Sequence, residues 1–135
     1  MMYPYQMPNN WMGAPTGMEP GYPMAGQYLN APLVKTIQDC EATCEHMIHH
    51  LNMHQFPEPR GNQAILLRDC ADICGLTANF IARGSVFAKY TAALCACVCQ
   101  TCGQECARFP DQMSQNCARV CLNCAQACGA FASSL

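Results

Sequence analysis

The stretches ALCACVCQTCGQEC (93–106) and CARVCLNCAQAC (117–128) decide how this chain folds. In the first, Cys95, Cys99, Cys102 and Cys106 advance by four, three and four residues, and in the second Cys117, Cys121, Cys124 and Cys128 repeat those steps. Side chains three and four residues apart share one face of an α-helix. Each set therefore lines its sulfurs along a single stripe, in the place where an ordinary helix carries leucine and isoleucine. Cys40/Cys44 and Cys70/Cys74 each add one further four-residue step. Cys97 breaks the pattern: it is two residues from Cys95 and from Cys99, roughly 200° around the helix, and should point away from the thiols.

Outward from these ladders, four helical segments can be drawn. The first starts with Asn30 as cap and Pro32 in the opening turn, where a missing N–H costs little, and runs to about His54. The second is capped by Asn62 and continues to about Arg83, where Gly84 stops it. Ser85 then caps a third, which reaches about Arg108. The turn at Pro110 and Asp111 leads into a fourth, ending near Phe131. Short connections make neighbours antiparallel, so the expected fold is all-α, an up-down-up-down four-helix bundle over residues 31–135. At ~1.5 Å rise per residue each helix spans about 30 Å.

Residues 1–30 form a different compositional zone. Met, Pro, Tyr, Gly, Asn and Gln dominate it, Glu19 is its one charge, and prolines recur at 4, 8, 15, 20 and 23. It is expected to be a flexible tail. Six of the nine methionines lie there, and thioether sulfur is a soft ligand; an adhesive or packaging tail is the plainer reading of the same residues.

Antiparallel order also polarises the bundle. One end should collect Leu33, Val34, Ile37, Phe80, Ile81, Val86, Phe87, Leu94 and Phe131 as an apolar floor. The other should collect His46, Met47, His49, His50, Met53, His54 and Met113 as a mouth. Between them lie twelve thiols.

Charge and composition exclude several classes. The formal charge is −2 with seven Lys+Arg, so no basic stripe faces a nucleic acid. No apolar run reaches eighteen residues, which argues against a membrane span. The N-terminal zone has neither a charged n-region nor an apolar h-region, so the cytoplasm is the expected compartment. In a reducing compartment thirteen cysteines argue for metal ligation over a disulfide framework.

Buried thiolates are costly unless a cation compensates them. Cu(I) prefers sulfur and accepts few ligands, whereas zinc wants four arranged tetrahedrally. Facing ladders whose thiolates bridge successive ions would turn a column of thiols into a column of Cu(I) sites. The candidate ligands are Cys40, Cys44, Cys70, Cys74, Cys95, Cys99, Cys102, Cys106, Cys117, Cys121, Cys124 and Cys128. Met47, three residues beyond Cys44, and Met113, four before Cys117, extend two ladders, and His50 and His54 stand one turn apart at the mouth. Together these four are the candidates for receiving incoming copper.

Rival readings use the same residues. Cysteine packs as a small apolar side chain, but twelve would leave a thinly filled core. Cys99, Cys102, Cys121 and Cys124 match a two-CxxC zinc pattern, yet zinc ribbons place such pairs on turns. An iron–sulfur run needs a further cysteine and a following proline. A cross-linked packaging protein and a zinc- or redox-sensing module remain as alternative classes. No nucleophile–base–orienter set is present, so no catalysis is expected.

The segments LRDCADIC (67–74), ALCACVCQTCGQEC (93–106) and CARVCLNCAQAC (117–128) resemble the four-helix-bundle copper storage proteins, the Csp family, over roughly residues 33–132. The resemblance implies an interior that binds many Cu(I) ions, roughly one per cysteine, loaded through a His/Met-bearing end. It also implies a homo-oligomer, commonly a tetramer, and is compatible with a copper chaperone as donor. The chain departs from the most cysteine-rich members near the mouth, where Met47, Leu51 and Ser114 occupy positions that could carry thiols, which lowers the expected capacity. The Tyr/Pro/Met tail looks like those of coat-associated proteins, so a spore or compartment is an alternative location.

Overall fold

Helices α1 (Ala31–Met53), α2 (Gly61–Ala82), α3 (Ala88–Ala107) and α4 (Gln112–Ser133) make up the computed structural model, which describes residues 28–135. The expected tail, residues 1–30, lies almost entirely outside the described residues. Each helix packs against its neighbours in sequence and α1 closes against α4, while the diagonal pairs stay apart. This is the antiparallel bundle expected from the thiol ladders. No described helix is long and apolar enough to cross a membrane.

The ends of the helices show which signals matter. Asn30 does sit at the start of α1, but with φ 59° and no side-chain hydrogen bond to the helix. It turns the chain rather than capping it. Helix α2 begins one residue before the expected cap, with Arg60 in the capping position. Asn62 is therefore inside the first turn. Ser85 is three residues short of α3; its carbonyl accepts from the Ala88 N–H and its hydroxyl from the Phe87 N–H, so it makes a turn of its own. Asp111 is a true cap, its carboxylate accepting from the Ser114 N–H at 3.0 Å. Gly84 has φ +68°. There the Ser85 N–H reaches the Phe80 carbonyl and the Gly84 N–H the Ile81 carbonyl, the paired closure that a left-handed glycine permits.

The buried seam of each helix reads as one line. From floor to mouth, α1 presents Val34, Ile37, Cys40, Cys44 and Met47, and α3 presents Ala92, Cys95, Cys99, Cys102 and Cys106. From mouth to floor, α2 presents Gln63, Leu67, Cys70, Cys74, Thr77 and Ile81, and α4 presents Ser114, Cys117, Cys121, Cys124 and Cys128. Small flanking residues (Ala71, Ala78, Ala118 and Ala125) are buried beside this seam and let the helices approach. α3 and α4 come close at Gly103, where a Cβ would meet the Leu122 side chain at 2.8 Å and the Ala118 carbonyl at 3.2 Å.

The floor is smaller than the spacing suggested. Val34, Ile37 and Ile81 are buried, with Leu33, Phe80 and Phe131 packed on them. Val86, Phe87 and Leu94 are exposed instead. Because α3 starts at Ala88, Val86 and Phe87 belong to the connecting turn and Leu94 falls on the outer face of α3.

Candidate metal centre

Twelve cysteines are buried and Cys97 alone is exposed. The twelve are those on the helical ladders, and Cys97 lies on the outside of α3, as its offset requires. None of the thirteen forms a disulfide.

Three sets of sulfur atoms gather closely enough to share an ion. Cys95, Cys124 and Cys128 form the set nearest the floor; Cys40, Cys74, Cys99 and Cys124 form the next; Cys40, Cys44, Cys70 and Cys121 form the third. Within each set all Sγ atoms lie within 4.8 Å of one another. Cys124 belongs to the first two sets and Cys40 to the last two, so the three are links of one chain. Close approaches run across helices: Cys70 to Cys99 at 3.5 Å, Cys44 to Cys121 at 3.6 Å, Cys74 to Cys95 at 3.8 Å, and Cys128 to Cys95 at 3.7 Å. All four helices supply sulfur to the chain. Cys102, Cys106 and Cys117 lie beyond it on the mouth side, although Cys117 still approaches Cys121 at 3.9 Å.

The thiols feel one another more than they feel solvent. Hydrogen bonds from neighbouring sulfurs, followed by burial, hold Cys44, Cys106 and Cys128 well above the ordinary thiol value. Hydrogen bonds from Cys106, Cys121 and Cys44 pull Cys102 below it. A proton leaving one thiol is therefore stabilised by thiols that keep theirs. Such a network offers thiolate to a soft cation without exposing charge to an apolar interior.

At the mouth, Met47 is fully buried in line with Cys40 and Cys44, and Met113 is half-buried against the same core. His50 is half-buried and His54 exposed, with ring centroids 4.6 Å apart. Burial, then the neighbouring His54, keeps the His50 pKa below the ordinary imidazole value, which favours its neutral, metal-binding form. The three sulfur gatherings contain no histidine. The structure thus brings the thiols together and sets the histidines apart at the rim.

Spacing alone did not reveal a polar layer beneath that rim. Arg60 lies between two aromatic rings, 3.9 Å from the Phe56 centroid and 4.0 Å from that of Phe109. Its guanidinium donates to Glu58, Asp111, Gln63 and Ser114. Burial works against its charge, but the Glu58 and Asp111 hydrogen bonds outweigh that and raise its pKa. Gln63 donates in turn to the Ser114 hydroxyl at 3.0 Å and to Cys106 Sγ at 3.4 Å. Among the described residues no buried side-chain nitrogen or oxygen lacks a partner. A faint signal existed: Gln63 stands four residues before Leu67 and seven before Cys70, a polar side chain on the buried face of α2. Nothing in the spacing marks Arg60, because its partners come from two separate connections and the helices that follow them.

Known proteins agree with this geometry. The family model for copper storage proteins matches residues 27–133. The chain is similar to the Cu(I)-bound copper storage protein BsCsp3, with a TM-score of 0.74 and 31% identity over 77% of this chain and 98% of that one. It is similar to apo-Csp3 from Bacillus subtilis, with a TM-score of 0.73 and 31% identity, covering 78% of this chain and all of the other. An uncharacterized cysteine-rich protein of Bacillus subtilis, YhjQ, is 34% identical over 82 residues, 61% of this chain and 75% of that protein.

Proposed function

The chain belongs to the copper storage protein family, and on that premise we propose how its own residues hold the metal. It is a Cu(I) store that binds many ions through cysteine thiolates inside a four-helix bundle. The observation that carries this is the chain of three sulfur gatherings joined through Cys40 and Cys124. Isolated zinc sites would each need a closed tetrahedral set of their own; shared sulfurs suit a cation that accepts few ligands and tolerates bridging thiolates.

The ligands are Cys40, Cys44, Cys70, Cys74, Cys95, Cys99, Cys102, Cys106, Cys117, Cys121, Cys124 and Cys128. Met47, His50, His54 and Met113 receive incoming ions at the mouth, where a neutral imidazole and two thioethers bind Cu(I) without a proton to displace. From there the metal passes to the outer thiols, each of which exchanges its proton for copper, and on to the linked gatherings. The role is sequestration rather than catalysis. A cytoplasmic setting keeps the thiols reduced, a copper chaperone is the natural donor there, and the bundle associates with further copies.

Anaerobic titration of the fully reduced protein with Cu(I), against a chromophoric chelator, tests the reading. About ten or more tight equivalents per chain are expected, one for most of the buried thiols. One or two equivalents would overturn storage in favour of a sensing module.

A further inference from the structure

The bundle is sealed at both ends, and the seal at the mouth is built around one cationic side chain. The Arg60 side chain retains 9% of its exposure. Its Nε and Nη2 donate to one Glu58 oxygen at 3.1 and 2.6 Å, and Nη2 also reaches Asp111 at 2.8 Å. Its Nη1 donates to the Gln63 carbonyl oxygen at 3.0 Å and to the Ser114 hydroxyl at 3.3 Å. Phe56, from the α1–α2 connection, covers one face and Phe109, from the α3–α4 connection, the other. One residue thus ties together the two loops that close this end. Directly behind it, Gln63 rests on Cys106, the outermost thiol of α3. Cys102 and Cys106 have no exposed surface and Cys117 has 1%.

We propose that Arg60 is the latch of a gate over the thiol column, so that copper reaches and leaves the buried sulfurs only when the guanidinium releases its loop partners. The inference builds on the storage reading in one respect, that ions pass this end. The latch governs how fast they pass, not how many are held. Three observations favour a latch over a fixed staple. The floor is closed by apolar side chains on the helices themselves, so opening it means separating helices. The mouth is closed by hydrogen bonds from one flexible side chain, each of which water can replace. Phe56 also meets the His50 ring edge-on at 5.6 Å, which joins the copper-receiving histidines physically to the latch. The planar fork matters as much as the charge: a lysine would keep the charge but lose both the four-partner geometry and the two ring faces.

The test compares Arg60→Lys, Arg60→Ala and Phe109→Leu with a floor control, Ile81→Ala. Apo protein is exposed under native conditions to 4,4′-dithiodipyridine, a neutral thiol reagent, and the rate for the buried thiols is followed. Transfer of Cu(I) from a chromophoric chelate is timed separately, and the ions held at equilibrium are counted. The Arg60 variants should accelerate both rates at least tenfold while holding the same number of ions, and Phe109→Leu should accelerate them less. Ile81→Ala, read where its stability equals that of the Arg60 variants, should leave both rates near the parent's. Unchanged rates in Arg60→Lys and Phe109→Leu would overturn the latch, as would equal acceleration by Ile81→Ala, which would mean global opening. These two milder variants carry the test should Arg60→Ala fail to fold. Faster thiol reaction together with only one or two bound ions would uphold the latch and sink storage instead.

Discussion

At the floor, Val34, Ile37 and Ile81 close the bundle by apolar contact; at the mouth, the closure is Arg60 with Glu58, Asp111, Gln63 and Ser114. Apolar contact is non-directional, spread over many atoms, and lost only when the helices part. The polar closure depends on a few aligned bonds and can be undone locally. A protein that must keep solvent from twelve thiols yet exchange metal with the outside needs one end of each kind. The two regions therefore divide stability from access.

The largest test of that division removes the metal altogether. Cu(I) bound to the native state alone stabilises it by mass action, about 4 kcal/mol for each independent ion held at a thousand times its Kd. Stripping copper should lower the melting temperature by more than about 15 °C, a shift several such ions would produce in a bundle of this size, as read by anaerobic calorimetry. Equal melting of the two forms would mean that the interior is held by its apolar contacts and not by metal.

Shortening a floor residue comes next. Ile37→Ala should cost about 2–5 kcal/mol in the apo protein, since it removes buried methyl groups and leaves a cavity, measured by urea unfolding. A loss no larger than that at the mouth would erase the contrast between the ends.

Asp111→Ala should cost less, about 1–2 kcal/mol, because it removes both a helix cap and one Arg60 partner on a carboxylate that keeps 22% of its exposure. Protonating the same group is the milder version. Burial alone would raise the Asp111 pKa, but hydrogen bonds from Arg60 and Ser114 outweigh it and hold the carboxyl below the ordinary range. Its contribution is thus present above the unfolded value of about 3.9 and is lost as pH falls through the lower folded value. Apo stability should decline as the pH falls below about 4, with a smaller decline in Asp111→Asn. Identical acid profiles would remove Asp111 from the closure.

The smallest effect is expected at Cys97, outside both regions. Cys97→Ser should change stability by less than about 0.5 kcal/mol and leave the copper count unchanged, while removing the one thiol that reacts promptly in the native apo protein. A lower copper count would place Cys97 in the store.

The ladders made the bundle and its thiol interior legible because a period of three and four fixes a face directly. Cys95 to Cys106 and Cys117 to Cys128 could point nowhere but inward together. The floor was read less well, since Val86, Phe87 and Leu94 are apolar residues whose exposure depends on where α3 begins, and helix starts are set by local turns such as that at Ser85. Of the Arg60 layer only Gln63, a polar side chain on the buried face of α2, left a trace in the spacing. The partners of Arg60, Glu58, Gln63, Asp111 and Ser114, are brought together only when two loops meet, and such long-range pairing leaves no periodic trace. Ser114 could be seen as a missing thiol, but not as an acceptor for Arg60 and Gln63.

The all-thiol interior has one more consequence. Each buried sulfur that takes up Cu(I) gives up a proton, so a monovalent ion replaces a monovalent ion and the interior gains no net charge as it fills. The bundle behaves like a bead of ion-exchange resin: it can be loaded deeply without electrostatic back-pressure from earlier ions, and every load acidifies the surrounding medium. A weakly buffered solution would register filling as a fall in pH.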